Sequence, residues 1–547
     1  MHLIETALLL LLAVVVSGSI ARITRIALPL VQIALGAAIV LITGSTVDLE
    51  PDIFFLLFLP PLLFLDGWRI PKEDLFRDRT TILELAMGLV VFTVVGLGFL
   101  IWWMIPEMPL PVAFALAAIL SPTDPIAVQA IAARAPIPKR LMHILEGESL
   151  LNDATGLTCM RLAIVAASTG AFVLHEALVS FAWLAIVGVL SGIGVTLAIS
   201  AAKSWISRRW GEDVGAQILI SLLIPFAAYL VAEELKASGI LAAVAAGITM
   251  SFTERGGYGG QSLAMTRIRR AVVWDTVQFV ANGLIFVILG EQMPSIISRA
   301  AEVVAGTTRP EIWWLAVYVV AIVAALAALR FVWVWTSLRL TLFRRRHRRS
   351  GPPPKVGLRL TMVMSLAGVR GAITLAGILT VPFALDDGTP MPARNLAIFL
   401  AACVIIVSLL VATFALPRLL KNVELPPEAS HERDEDRGRV AAASAALRAI
   451  EDAAHNMAEG KPNPDLYADI SSRLMELYRH RIETRTRTDE EDAQIARLTD
   501  TVERQLRLVG LAAEREELGR LSRARRLDEE TARKLIREVD LQELRYV

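Results

Sequence analysis

The sequence predicts an all-α membrane protein with a soluble helical tail, on three observations. Apolar stretches of roughly 20 residues, the length that spans a bilayer as a helix, recur from about residue 4 to about residue 420. The chain is 55% apolar and yet 20% charged, so its charges must be segregated along it. Beyond residue 420 the composition turns polar, with Pro426 and Pro427 at the break. These observations divide the chain into a membrane part, 1–420, and a tail, 421–547.

Thirteen stretches qualify as spans, near 4–20, 26–43, 52–67, 81–104, 109–133, 141–168, 176–200, 214–233, 238–253, 271–290, 311–338, 360–382 and 393–417. The shortest are 52–67 and 238–253. The first is expected to be a retained helix, because Met1 to Glu5 carries no basic n-region and Arg22 and Arg25 follow the span. Basic residues concentrate in alternate connections, among them Arg69, Lys72, Arg77 and Arg79; Arg134, Lys139 and Arg140; Lys203, Arg208 and Arg209; and the cluster from Arg344 to Arg349. Cytoplasmic loops are rich in Lys and Arg, so an odd number of spans puts the amino terminus outside and the carboxyl terminus in the cytoplasm. Cys159 and Cys403 both fall inside spans, which indicates neither a disulfide framework nor a cysteine metal site.

Two spans hold carboxylates where a bilayer penalises them. Asp124 lies in Ser121-Pro122-Thr123-Asp124-Pro125, and Asp153 in Glu148-Ser149-Leu150-Leu151-Asn152-Asp153. A bare charge at mid-bilayer costs a few kcal/mol or more, so each must be protonated, paired or holding a cation. Pro122 and Pro125 each remove an amide donor, so the span is expected to break around Asp124. Broken membrane helices expose carbonyls and helix ends with partial charges, which suit ions. Helical spacing sets Glu146, Ser149 and Asp153 along one face, with Glu148 and Asn152 four apart beside it. Asp153 lies roughly 20 Å along its helix at 1.5 Å per residue.

A second opening is expected at Ala367-Gly368-Val369-Arg370-Gly371-Ala372, where glycines flank an arginine. The planar fork of Arg370 matches a carboxylate, so it braces the site. Arg161, Arg330, Glu233 and Asp275 are read as structural. In the tail, helices are expected over Leu506 to Leu521 and Thr531 to Leu544, the latter capped by Asp528, with a flexible linker over Ala429 to Arg437.

At these motifs the chain resembles the monovalent cation:proton antiporter-1 family of sodium/proton exchangers, and its tail, around Leu511 to Arg515 and Glu538 to Leu541, resembles the bacterial branch. The resemblance rests on Thr123-Asp124-Pro125, Gly147 to Asp153 and Ala367 to Ala372. It extends to Leu59-Pro60-Pro61-Leu62-Leu63-Phe64, Tyr229 to Glu233 with Ser238 to Ala242, and Asn282 to Phe286. It implies a thirteen-helix antiporter built on inverted repeats with discontinuous core helices, whose core slides against a dimerisation domain in a homodimer. It implies further that Asp153 binds cation or proton, that Asp124, Thr123, Ser149 and Asn152 help form the site, and that Glu148 pairs with Arg370. Sodium, with lithium accepted, would sit on Asp153 and Asp124. The Asn152-Asp153 pair resembles the electroneutral exchangers.

The physical expectation is competition. A buried carboxylate held by either a proton or a cation loads one ion at a time, and desolvation traps its empty charged form. No cofactor, nucleotide site or nucleic-acid partner is expected; the partners are membrane lipid and the transported ions, and the location is the cell inner membrane. The nearest alternative is a potassium/proton antiporter. A channel or organic-solute carrier has no need of a titrating carboxylate. An intramembrane aspartyl protease would place two aspartates on adjacent helices, but its glycine-x-glycine-aspartate signature is absent around both.

Overall fold

The computed structural model describes residues 2–44, 51–70, 72, 82–124, 128, 139–170, 174–255, 264–305, 311, 313–346, 358–382, 384, 389–420, 429–458, 464–486 and 490–543. Among these residues the chain is helical almost throughout, with one β-bridge between Ala384 and Pro390. It divides into two units, Met1–Glu424 and Leu425–Val547.

The first unit contains α1 (His2–Thr24), α2 (Leu28–Thr43), α3 (Pro51–Arg69), α4 (Val90–Met104), α5 (Leu110–Leu120), α6 (Lys139–Thr169) and α7 (Leu174–Trp210). It continues with α8 (Val214–Glu234), α9 (Gly239–Arg255), α10 (Ala264–Ala305), α11 (Trp313–Arg346), α12 (Leu358–Leu366), α13 (Ala372–Leu379) and α14 (Arg394–Leu420). A π-helical turn, Glu84–Leu89, leads into α4. Among the described residues, eight helices are long and apolar enough to cross a membrane, while α2, α5 and α9 are apolar but shorter. The chain is a multi-pass membrane protein.

These helices pack as two groups, α1 to α3 with α7 to α10, and α4 to α6 with α11 to α14. The first group is drawn together backbone to backbone. A Cβ on Gly67 would meet the Val244 carbonyl and one on Gly247 the Phe64 carbonyl, so α3 and α9 touch through glycine. Small residues serve membrane helices in this way because lipid supplies no hydrophobic drive to pack large ones. Arg69 of α3 pairs with Asp275 of α10 within this group, whereas Arg161 of α6 reaches Glu233 of α8 in the other group at 3.3 Å.

The second group holds two interruptions. Helix α5 stops at Leu120 and residues 121–124 leave the helix, as the prolines require; Pro125 lies outside the described residues. Helix α12 stops at Leu366, and 367–371 run non-helically into α13. The two open stretches meet where the Asp124 amide donates to the Val369 carbonyl at 2.7 Å.

The second unit contains α15 (Ala429–Ala458), α16 (Pro464–Thr486), α17 (Glu490–Arg523) and α18 (Glu529–Glu543). The linker expected over Ala429 to Arg437 is helical instead. Opposite charges stand three apart at Arg433 and Asp436 and four apart at Glu435 and Arg439, beside like charges four apart at Glu432 and Asp436 and at Arg433 and Arg437, so high charge alone does not decide against a helix. The Asp528 cap forms, with its Oδ1 accepting the Thr531 amide at 2.8 Å. Hydrogen bonds from the Thr531 side chain and amide hold the Asp528 carboxyl below its usual range.

The strongest polar contact in the membrane part corrects an expectation. Glu148 does not pair with Arg370 but with Arg330 of α11, whose Nη1 and Nη2 donate to its two oxygens at 2.5 and 2.7 Å. Both side chains are buried. Arg370 instead turns its guanidinium to carbonyls that the two helix breaks free. Removing one partner of a buried pair strands the other, at a cost of about 3–5 kcal/mol. Arg330→Met is therefore expected to lower the melting temperature of the purified protein in detergent, and Glu148→Gln added to it to restore part of the loss. A melting temperature unchanged by the single substitution contradicts this account.

Candidate ion-binding site

The site forms where the two open stretches cross in front of α6. Pro122 lies against Gly156, where a Cβ would overlap its ring, so the departure of the chain from α5 is seated on α6. Gly371 is equally constrained: a Cβ there would collide with the Asp124 carboxylate, which rests on the backbone at the start of α13. A helix N-terminus carries partial positive charge, so this placement suits an anionic side chain.

Arg370 satisfies the backbone around the breaks. Its Nε donates to the Leu120 carbonyl at the end of α5 at 2.8 Å, and its Nη1 donates to the Gly368 carbonyl. Its own amide donates to the Ser408 hydroxyl of α14 at 3.3 Å. The arginine thus closes the free end of one broken helix from inside the other break, a position that also puts its charge in the field of Glu148.

A polar chain runs inward from Arg330. Glu148 accepts from Arg330 and from the Thr123 hydroxyl at 3.2 Å, and Thr123 in turn accepts from the Asn152 amide at 3.1 Å. The Asn152 Oδ1 is buried without a hydrogen-bond partner. Such a group costs about 1–3 kcal/mol unless something meets it, which makes it a ready acceptor.

Asp153 stands one residue on, buried, with no hydrogen bond and no basic partner among the described residues. The charges it feels are acidic: Asp124, Asp66 and Glu148. Ser149 is buried one turn before it on α6. The structure thus gathers Thr123, Asp124, Glu148, Ser149, Asn152 and Asp153 as a group, and places Arg370 behind the breaks rather than on Glu148.

Asp66 of α3 is the member that sequence reasoning missed. It lies in the fields of both Asp124 and Asp153, with Glu146 and Arg69 also near. The signal was present, since a carboxylate follows Leu62-Leu63-Phe64-Leu65 inside an apolar stretch. It stands one residue from the end of the short 52–67 stretch, where a charge is ordinary.

No three acidic, histidine or cysteine side chains among the described residues converge closely enough to cage a resident metal. The carboxylates are neighbours in field without forming a closed shell. Three of them in one low-dielectric region cannot all remain bare.

Comparison with known proteins identifies the family. The family model described as sodium/hydrogen exchanger, transmembrane, matches residues 8–422. The chain is 40% identical to the uncharacterized Na+/H+ exchanger YjcE of Escherichia coli (strain K12), over 99% of this chain and 98% of that one. It is 43% identical to the sodium, potassium, lithium and rubidium/H+ antiporter of Bacillus subtilis (strain 168), over 77% of this chain and 62% of that one. In fold it is similar to the sodium proton antiporter MjNhaP1 of Methanocaldococcus jannaschii, with a TM-score of 0.55 at 17% identity, covering 77% of this chain and 99% of that one. The chain belongs to the sodium/hydrogen exchanger family of cation/proton antiporters, which are secondary transporters and not enzymes.

Proposed function

We propose that the protein exchanges sodium, and also lithium, for protons across the cell inner membrane, one for one and electroneutrally, by alternating access with the two ions competing for Asp153. The observation that carries this reading is the contrast between two buried carboxylates on one helix. Glu148 is neutralised by Arg330, whereas Asp153 has no basic partner among the described residues and faces Asp66 and Asp124. A carboxylate fixed in an ion pair is not free to take up cargo, whereas an unpaired one is open to a proton or a cation.

Asp124, Thr123, Asn152 and Ser149 complete the site, with Asp66 as a third carboxylate. When the site is empty its clustered negative charge resists transfer through the low-dielectric interior, and a bound cation or proton relieves that barrier. Asn152 in place of a further acid favours the electroneutral form. The basic residues of alternate connections support an external amino terminus and a cytoplasmic carboxyl terminus, and the protein acts as a homodimer. Potassium is the second reading, favoured by the range of cations named for the B. subtilis relative.

Asp153→Asn is expected to abolish the sodium-driven pH change in proteoliposomes; intact exchange by that variant would falsify the assignment. Asp66→Asn should retain exchange but raise the sodium concentration for half-maximal rate about tenfold, the effect of roughly 1.4 kcal/mol of lost attraction. An unchanged half-maximal concentration would remove Asp66 from the site. Stoichiometry is read by dequenching of a pH dye with sodium, lithium and potassium. Rates that are equal with the membrane potential clamped and unclamped support electroneutral exchange, and rates that follow the imposed potential exclude it.

A further inference from the structure

Helix α13 supports the ion site at one end and is held at the other. At its near end, the backbone of Gly371 lies so close beneath the Asp124 carboxylate that a Cβ there would collide with it. Any shift of α13 along its own axis shifts that seat. The helix has eight residues, a length of about 12 Å at 1.5 Å per residue, and so short a helix is marginal without tertiary support. Its flank provides some: Gly377 lets it lie against Leu157 of α6 and Ile119 of α5. Apolar contact is non-directional, so this packing governs how near α13 lies to its neighbours more than how far along them it sits.

Directed bonds at the far end supply what packing does not. An α-helix leaves its last four carbonyls without helical partners, which is half of those in α13. The Thr380 hydroxyl donates to the Gly377 carbonyl at 2.7 Å. Arg394, the first residue of α14, reaches back to the end of the helix and to the residues just beyond it. Its Nη2 donates to the Leu379 carbonyl at 3.3 Å and its Nε to the Val381 carbonyl at 2.8 Å. A guanidinium presents its donors in a rigid plane, so two such bonds fix a direction as well as a distance. Its charge also stands at the negative end of the helix dipole.

The residue before Arg394 gives a second, independent observation. Ala393 has a φ of 54°, in the left-handed region that an alanine seldom enters. A conformation of that kind persists where its surroundings hold it. Here it makes the turn into α14, its carbonyl accepting the Ala397 amide at 2.9 Å. The chain thus takes a disfavoured bend immediately before the arginine that grips α13, and it buries that arginine.

We propose that Arg394 is a positioning residue of the ion site: by holding the C-terminal end of α13 it fixes how far the opposite end of that helix reaches beneath Asp124. Arg394 stands at the other end of α13 and acts only through it. The inference rests on the reading of Asp124 as part of the cation site. Without the grip, the seat of Asp124 is no longer set along the helix axis, so cation binding weakens while the step that carries a loaded site is unaltered.

The test uses the full-length chain in proteoliposomes, with the sodium-driven pH change recorded over a range of sodium concentrations. Arg394→Gln is expected to raise the concentration for half-maximal rate about fivefold and to leave the maximal rate within about twofold of the native protein. Arg394→Lys keeps the charge and a donor but loses the fork, and its half-maximal concentration is expected to fall between the two. A lowered maximal rate at an unchanged half-maximal concentration overturns the proposal, because it marks an arginine that only stabilises the fold. A Lys variant as impaired in half-maximal concentration as the Gln variant overturns it too. Should Arg394→Gln fail to insert, Arg394→Lys carries the test alone, and a native half-maximal concentration in that variant overturns the proposal. Absence of sodium-driven exchange from the native protein would instead overturn the function proposed above and this inference with it, whereas native behaviour of Arg394→Gln overturns this inference alone.

Discussion

Everything in the membrane part depends on one constraint: a bilayer tolerates an open backbone only where protein satisfies the groups that the break exposes. The chain breaks two helices and makes each break repair the other. The Asp124 amide meets the Val369 carbonyl, and Arg370 reaches back to the carbonyl of Leu120. Neither opening is satisfied alone, so the crossing is a single unit. That unit fixes where Thr123 and Asp124 stand relative to α6.

The division of labour among charges follows from this repair. With Arg370 committed to carbonyls, Glu148 needs another cation, and Arg330 supplies it from α11. The pair then anchors Thr123, which anchors Asn152. Polar order therefore spreads from a neutralised pair toward Asp153 and stops one residue short of it. A carboxylate left out of such a network is costly unless function requires it to change partners.

Much of this was legible in residues. Apolar length located the helices, Pro122 announced the first break, and Gly368 with Gly371 announced the second. The choice between Arg330 and Arg370 was not legible, because both are intramembrane arginines and the decision lies in which carbonyls the breaks leave unsatisfied. That quantity exists only once two distant segments cross. Asp66 escaped because it stands at the edge of a short apolar stretch, and only the fold brings it into the field of Asp124 and Asp153, with Arg69 turned toward Asp275 and Gln278 of α10. The helix beginning at Ala429 escaped because high charge was weighed without the spacing of its signs.

The two helix groups give the site its remaining property. Asp66 belongs to α3 in the first group, whereas Asp124 and Asp153 belong to the second. The cluster of carboxylates therefore straddles the boundary between bodies that are each tightly packed. On the proposed mechanism, a relative movement of the groups would change how closely the three charges approach, and with it how strongly they hold a cation or a proton. Arg161 and Glu233 cross the same boundary at 3.3 Å, but both are more than a third exposed, and exposed pairs contribute only about 0–1 kcal/mol. This surface link is therefore a weak tie, and the carboxylates contributed from both sides are the charged feature that the two groups share across their boundary.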